Sequence, residues 1–200
     1  MSGHDLIVIG ASWGGLHALR CILQALPREF PLPVVIAQHR AADSDEDALI
    51  SALGRGMRIP VEGVCDKEEI CPGRAYLAPP DYHLLVEAGG RFALSTDERV
   101  QFSRPSIDVL FESAADACGE RLVGVVLTGT GEDGAAGLKA VRRAGGHAIV
   151  QDPEHAERRA MPDAALSAAG ADRVLALDEI GPHLATLGAV GDPLAAGGPA

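Results

Sequence analysis

The sequence predicts an α/β fold: a doubly wound, mostly parallel sheet with helices on both faces and a small antiparallel excursion. Three observations carry this. Short apolar runs alternate with helical patterns over most of the chain, as βαβ units require. The runs "VVIA" (34–37) and "VGVVL" (123–127) lack polar alternation, as strands covered on both faces do. Glycine-rich turns bearing polar residues follow several of these runs, where open α/β sheets place their ligands.

The first run, 6–9, leads into a helix near 15–26, where Leu16, Leu19, Leu23 and Leu26 recur at helical spacing. Run 34–37 precedes a helical pattern at 45–54. The middle third breaks the alternation. "RAYLAPPDYHLLVEAGGRFALS" (74–95) holds apolar runs at 74–78 and 83–87 around a Pro-Pro-Asp turn, then a Gly-Gly turn, and reads as a hairpin-like excursion. Helical patterns at 106–118, 135–144, 163–169 and 179–187 then alternate with runs at 122–128, 147–151 and 173–177. No internal repeat is visible. The reading is one domain over residues 1–188 and a flexible Gly/Pro/Ala-rich tail over 189–200.

Composition narrows the function. With 47% hydrophobic and 22% charged residues, the 200-residue chain is an ordinary globular protein. A formal net charge of −11 argues against nucleic acid or anionic lipid as a main partner, since both reward basic patches. No apolar run approaches the ~20 residues of a membrane span, and the N-terminus lacks a signal-peptide pattern. A cytoplasmic protein without direct membrane insertion is expected. Cys21, Cys65, Cys71 and Cys118 are scattered without zinc-type spacing, so reduced thiols and no metal site are expected.

The residues that follow the strands carry chemistry. Ser12 follows the first run, His39 follows 34–37, and "GTGEDG" with Glu132 and Asp133 follows 122–128. A hydroxyl, an imidazole and a carboxylate at one sheet edge are the inventory of a Ser-His-Asp hydrolase. Gly10-Ala11-Ser12-Trp13-Gly14 also satisfies G-x-S-x-G between strand and helix, the pattern of a nucleophile elbow. Taken singly, Ser12 and Asp133 read as helix N-caps, Asp133 for the helix starting near Gly134.

A rival reading uses Gly129, Gly131 and Gly134, which match the dinucleotide pattern G-x-G-x-x-G, with Asp152 about 20 residues on. Glu132 and Asp133 would then face a pyrophosphate and repel it, and the first loop has Ser12 where a second glycine is needed. Hydrolase chemistry is preferred; a dinucleotide-binding protein and a catalytically silent binding or scaffold module are the alternatives.

"IVIGASWGGLHAL", "VVIAQH", "PGRAYLAPPDYHL", "SRPSIDVLFESAA" and "VGVVLTGTGEDGAAGLKAVRRAGG" resemble the catalytic domain of the chemoreceptor protein-glutamate methylesterases of bacterial chemotaxis, from about residue 5 to 187. The resemblance implies hydrolysis of glutamate γ-methyl esters on the methylated cytoplasmic region of a chemoreceptor, and deamidation of receptor glutamines. It implies Ser12 as nucleophile, His39 as general base and acid, Asp133 as the carboxylate that orients the imidazole, and no cofactor. The Trp13 and Thr130 backbone N–H groups are expected to hold the oxyanion, with Trp13, Thr130 and Gly131 lining the substrate site. Trp13, Thr130 and Arg40-Ala41 stand where the family has a small residue, a methionine and Met-Pro. Members usually carry a phosphorylation-receiver domain ahead of this region; here the nucleophile loop begins at residue 10, and in-chain control by aspartyl phosphorylation is not expected.

Overall fold

A computed structural model describes residues 3–189. Its frame is a seven-stranded sheet in the order β3-β4-β2-β1-β7-β8-β9. The strands are β1 (Leu6–Ala11), β2 (Val34–Gln38), β3 (Val61–Gly63), β4 (Ala75–Leu77), β7 (Leu122–Val126), β8 (His147–Gln151) and β9 (Arg173–Leu175), and every pairing among them is parallel. A separate antiparallel hairpin joins β5 (His83–Glu87) to β6 (Arg91–Ser95).

Strand periodicity explains why the central runs show no polar residue. On β1, Leu6 and Val8 pack with α3 (Ile107–Cys118), α4 (Ala135–Arg143) and α5 (Ala160–Ala169), through Leu110, Phe111, Leu138 and Ala165. The alternate residues Ile7, Ile9 and Ala11 face α1 (Gly15–Ala25) and α6 (Leu177–Ala189), meeting Leu19, Ile22, Leu23 and Ile180. Leu53 of α2 (Glu46–Gly54) joins that second layer. Both faces of one strand are therefore core. Fully burying each such Leu, Ile or Val contributes roughly 1.5–3 kcal/mol, so the central strands, not their loops, hold the site's frame rigid.

The structure refines the middle third. Ala75–Leu77 belongs to the main sheet between β2 and β3, and only β5–β6 form the excursion, which packs on α3. Pro79-Pro80 ends the buried strand, because proline supplies no ladder donor, and turns the chain out to the hairpin. β3 escaped the sequence reading: it has three half-buried residues at a sheet edge, too few for a periodic signal. Helix α5 begins at Ala160, ahead of the expected 163, since Pro162 in its first turn forfeits no intrahelical donor. Of the expected tail, Ala189 closes α6 and residues 190–200 lie outside the described residues. No described helix is long and apolar enough to cross a membrane.

Helices α3 and α4 approach through Gly137. A Cβ there would stand 2.6 Å from Phe111 Cβ and 3.0 Å from Asp108 Cα. Gly137→Ala should therefore destabilise the fold by about 1–2 kcal/mol, the overpacking penalty exceeding the up to ~1 kcal/mol of helix propensity that alanine brings. Urea unfolding checks this; a variant as stable as wild type would show that the two helices separate freely.

Candidate active site

β2, β1 and β7 are neighbours, and the strand order reverses at β1, the switch point where doubly wound sheets open a crevice. Ser12, His39 and Asp133 leave the carboxyl ends of these three strands. β1 and β2 pair in register up to Ala11 and Gln38, which puts Ser12 beside His39. The His39 N–H donates to the Ala11 carbonyl at 3.0 Å, and the Ser12 N–H to the Thr128 carbonyl at 3.0 Å. Gln38 Nε2 donates to the carbonyls of both Ser12 (2.8 Å) and His39 (3.1 Å), tying the two strand ends together.

Ser12 does not cap α1. That position belongs to Gly14, in the left-handed region at φ 79°, and no side chain caps the helix. Among the described residues the Ser12 hydroxyl makes no hydrogen bond to His39; the structure brings the backbones together and leaves the side chain unengaged. Nucleophile–base contacts are commonly loose before substrate binds.

His39 and Asp133 are engaged. Nε2 of His39 lies 2.6 Å from Asp133 Oδ2, with the carboxylate 2% exposed and the imidazole 15%. The same carboxylate accepts from Ile107 N (2.8 Å, Oδ2), Asp108 N (2.9 Å, Oδ1) and Ser106 Oγ (2.9 Å, Oδ1). Burial alone would raise the Asp133 pKa, but the His39 hydrogen bond and the Asp108 and Ile107 N–H groups outweigh it and hold the carboxyl below its ordinary value. An ionised carboxylate only accepts, so Nε2 carries a proton, and in the neutral form of the ring Nδ1 carries the lone pair. The ring is therefore turned relative to the serine-protease template, where the aspartate takes Nδ1.

Asp133 does not cap the helix that starts near Gly134, although its place in the sequence predicts that. Asp133 caps α3, through Ile107 N and Asp108 N, and α4 is capped from the other side. Asp108 Oδ1 accepts from Gly134 N (2.9 Å) and Gly137 N (2.7 Å). Each helix thus holds the other's first turn with a carboxylate. Burial first, and then the neighbouring Asp133 charge, push Asp108 up to about 6, against the pull of the Gly137 and Gly134 N–H groups.

A cavity of about 480 Å³ opens at this edge, lined by His39, Gln101, Phe102, Ser103, Thr130, Gly131, Glu132, Asp133 and Ala164. Thr130 and Gly131 line it as expected. Trp13 does not, because its indole N–H is drawn aside to Glu157 Oε1 at 2.9 Å and the Arg158 guanidinium covers the ring at 5.5 Å. Among the described residues the Trp13 and Thr130 backbone N–H groups have no protein acceptor. The Gly129 loop lies against Ser12, since a Cβ on Gly129 would come within 2.7 Å of Ser12 Cβ. Among the described residues no group of three or more His, Cys, Asp or Glu side chains is placed to hold a metal ion.

Sequence reasoning missed the residues that support this pair. Ser106 donates to Asp133 and accepts at 3.4 Å from Val109 N, and its own N–H donates to His83 Nδ1 at 3.2 Å. His83 is 2% exposed and bonds the Glu98 carbonyl through Nε2 at 3.0 Å. The signal was present in "RPSIDVLF": a serine followed by an aspartate ahead of an apolar helical run is an N-cap pattern. Its link to Asp133, 27 residues further on, had no local signature.

Fold and site define a doubly wound α/β protein that brings a Ser, a His and an Asp to its switch point. The particular family follows from comparison with known proteins: residues 7–184 match the family described as CheB methylesterase, and the chain belongs to it. It is 48% identical over 177 residues to a putative protein-glutamate methylesterase/protein-glutamine glutaminase of Leptospira interrogans, covering 88% of this chain and 91% of that one. It is 40% identical over 183 residues to the protein-glutamate methylesterase/protein-glutamine glutaminase of Chromohalobacter salexigens, of which it spans 51%. The crystal structure of the Thermotoga maritima CheB methylesterase catalytic domain superposes with a TM-score of 0.88 at 34% identity, over 94% of this chain and 100% of that one.

Asp108→Asn should separate charge from capping, because the amide oxygen can still accept from Gly134 and Gly137. A carboxyl whose pKa rises on folding, here from 3.8 to about 6, contributes its stability below the unfolded value and loses it as pH rises through the folded one. The variant should be no more stable than wild type at pH ~4 and more stable at pH ~8, on that linkage. Urea midpoints at the two pH values test this; an equal difference at both would mean that the Asp108 pKa does not rise on folding.

Proposed function

We propose that the chain is a serine hydrolase that cleaves glutamate γ-methyl esters in a protein, with Ser12 as nucleophile, His39 as base and Asp133 as the carboxylate that orients it. The observation that carries this is the buried His39–Asp133 pair, which takes up Nε2 and leaves Nδ1 to serve as the base at the strand end that adjoins Ser12. Membership of the CheB methylesterase family and the names of the relatives support the substrate class. Residues up to 188 act as one catalytic unit. Its substrate is the methylated cytoplasmic region of a chemoreceptor, and glutamine side chains there are deamidated by the same route.

The steps follow from the proton positions. The Ser12 side chain turns towards Nδ1, gives up its proton and attacks the ester carbonyl. Charge develops on the carbonyl oxygen, where the free N–H groups of Trp13 and Thr130 receive it. The imidazolium, held by Asp133, returns the proton from Nδ1 to the leaving methoxy oxygen, and methanol departs. Water, deprotonated by Nδ1, then attacks the Ser12 acyl ester; collapse releases glutamate and restores the serine proton. In the deamidation the leaving group is ammonia.

Methanol release from a polypeptide carrying glutamyl γ-methyl ester, compared between wild type and Ser12→Ala, tests this. The variant should lose at least ~10³-fold in rate, since removing a nucleophilic serine abolishes the covalent route. Its stability should change by less than ~0.5 kcal/mol, as expected of a side chain without partners. A fluorophosphonate should label wild type at Ser12 alone. Near-wild-type methanol release by Ser12→Ala would contradict the assignment.

A further inference from the structure

The nitrogen that must accept the nucleophile's proton already has a hydroxyl beside it, and that hydroxyl is not Ser12. Ser103 Oγ lies 3.4 Å from His39 Nδ1, and the same oxygen lies 3.4 Å from the Gln101 carbonyl. We propose that Ser103 is a positioning residue for the base, holding the imidazole plane through Nδ1 in the resting enzyme, giving way to Ser12 as its proton is transferred, and sharing Nδ1–H with the leaving oxygen once the imidazolium forms. This rests on the reading of His39 as base.

Asp133 grips only Nε2, and a ring held at one nitrogen is free to swing about that contact. A contact at the other nitrogen removes that freedom. One hydroxyl has one proton, so while Nδ1 carries a lone pair Ser103 can donate either to it or to Gln101, but not to both. Once Nδ1 has taken the nucleophile's proton, the two contacts become compatible. Ser103 Oγ then accepts from Nδ1–H while its own proton goes to the Gln101 carbonyl. The arrangement is thus better satisfied when the imidazolium forms, the state that develops during attack.

The backbone is built to present this hydroxyl. Val100 and Ser103 close a two-residue turn through paired hydrogen bonds (Ser103 N to Val100 O, 2.8 Å; Val100 N to Ser103 O, 3.2 Å). Gln101 and Phe102, its central residues, are both left-handed, at φ 50° and 62°, where Asn and Gly are the usual occupants. Such strain persists only where the surroundings over-determine it. Here Arg104 fastens the chain immediately after the turn, to Asp81 at 2.7 Å and to the Thr96 and Asp97 carbonyls at 2.7 and 2.9 Å. The turn leaves Phe102 93% exposed at the rim of the cavity and sets the Ser103 hydroxyl against His39.

The test uses the whole chain, hydrolysis of p-nitrophenyl acetate, and the ring-nitrogen NMR signal of His39, assigned with His39→Gln. Ser103→Ala should lower kcat about 10-fold, part of the ~10²–10⁴-fold that a positioned base supplies, with KM within about 2-fold. Ser103→Thr keeps a hydroxyl and should recover most of the loss. The Nδ1 signal should move in Ser103→Ala and return in Ser103→Thr. Unchanged kcat with an unmoved signal, or a loss that threonine does not restore, would overturn the proposal. If wild type shows no esterase activity the serine-hydrolase reading fails, and the Nδ1 signal alone then decides whether Ser103 holds the ring.

Discussion

One buried carboxylate joins the chemistry to the fold. Asp133, 2% exposed, accepts four hydrogen bonds: from the His39 imidazole, from two backbone N–H groups that open α3, and from Ser106. An isolated charge buried this deeply would neutralise itself, but two of its donors sit at the positive end of a helix. The three donors other than His39 help keep it an anion and so an acceptor for Nε2, and that assigns the tautomer of the neutral His39 ring. In the neutral ring the lone pair falls on Nδ1 because α3 begins where it does.

The sheet supplies the rest of the precision. Ser12, His39 and the loop to Asp133 leave three adjacent parallel strands whose residues are buried on both faces, so the strand ends cannot shift without disturbing the core. Gln38 bridges the first two ends, and Thr128 links the first to the strap after β8, donating to the Trp13 carbonyl at 3.0 Å and accepting from Arg158 N at 2.9 Å. Adaptable parts of the site are confined to loops: the Trp13 indole held by Glu157, the Phe102 turn and the Thr130 loop. A frame of strands with variable loops suits the hydrolase proposed above, which would have to admit a side chain of another protein.

The parts legible in the sequence had local signatures. The apolar runs gave the central strands and the six helices, and the G-x-S-x-G and "GTGEDG" loops singled out Ser12 and Asp133 by their placement between strand and helix. What stayed hidden was long-range or short. β3 is three residues long, and β4 looked like part of the excursion because Pro79-Pro80 follows it at once. The sequence places Asp133 as a cap on the helix next to it, whereas it caps a helix 26 residues earlier, and Asp108 caps the helix after Asp133 in turn. Ser103 and His83 enter the site only through folding, and neither the left-handed turn at Gln101-Phe102 nor its aim at Nδ1 follows from residue type.

The double role of Asp133 is tested most directly by Asp133→Asn, measured for both thermal unfolding and ester hydrolysis. Each carboxylate oxygen accepts from a backbone N–H, so in either orientation the amide NH₂ meets a donor. If the NH₂ faces His39 it also draws the proton to Nδ1, where the base needs a lone pair. The account predicts a loss of about 1–3 kcal/mol of stability from the unsatisfied donors together with at least ~10²-fold in kcat. A variant that unfolds at the wild-type temperature, or that hydrolyses ester at near the wild-type rate, would contradict it.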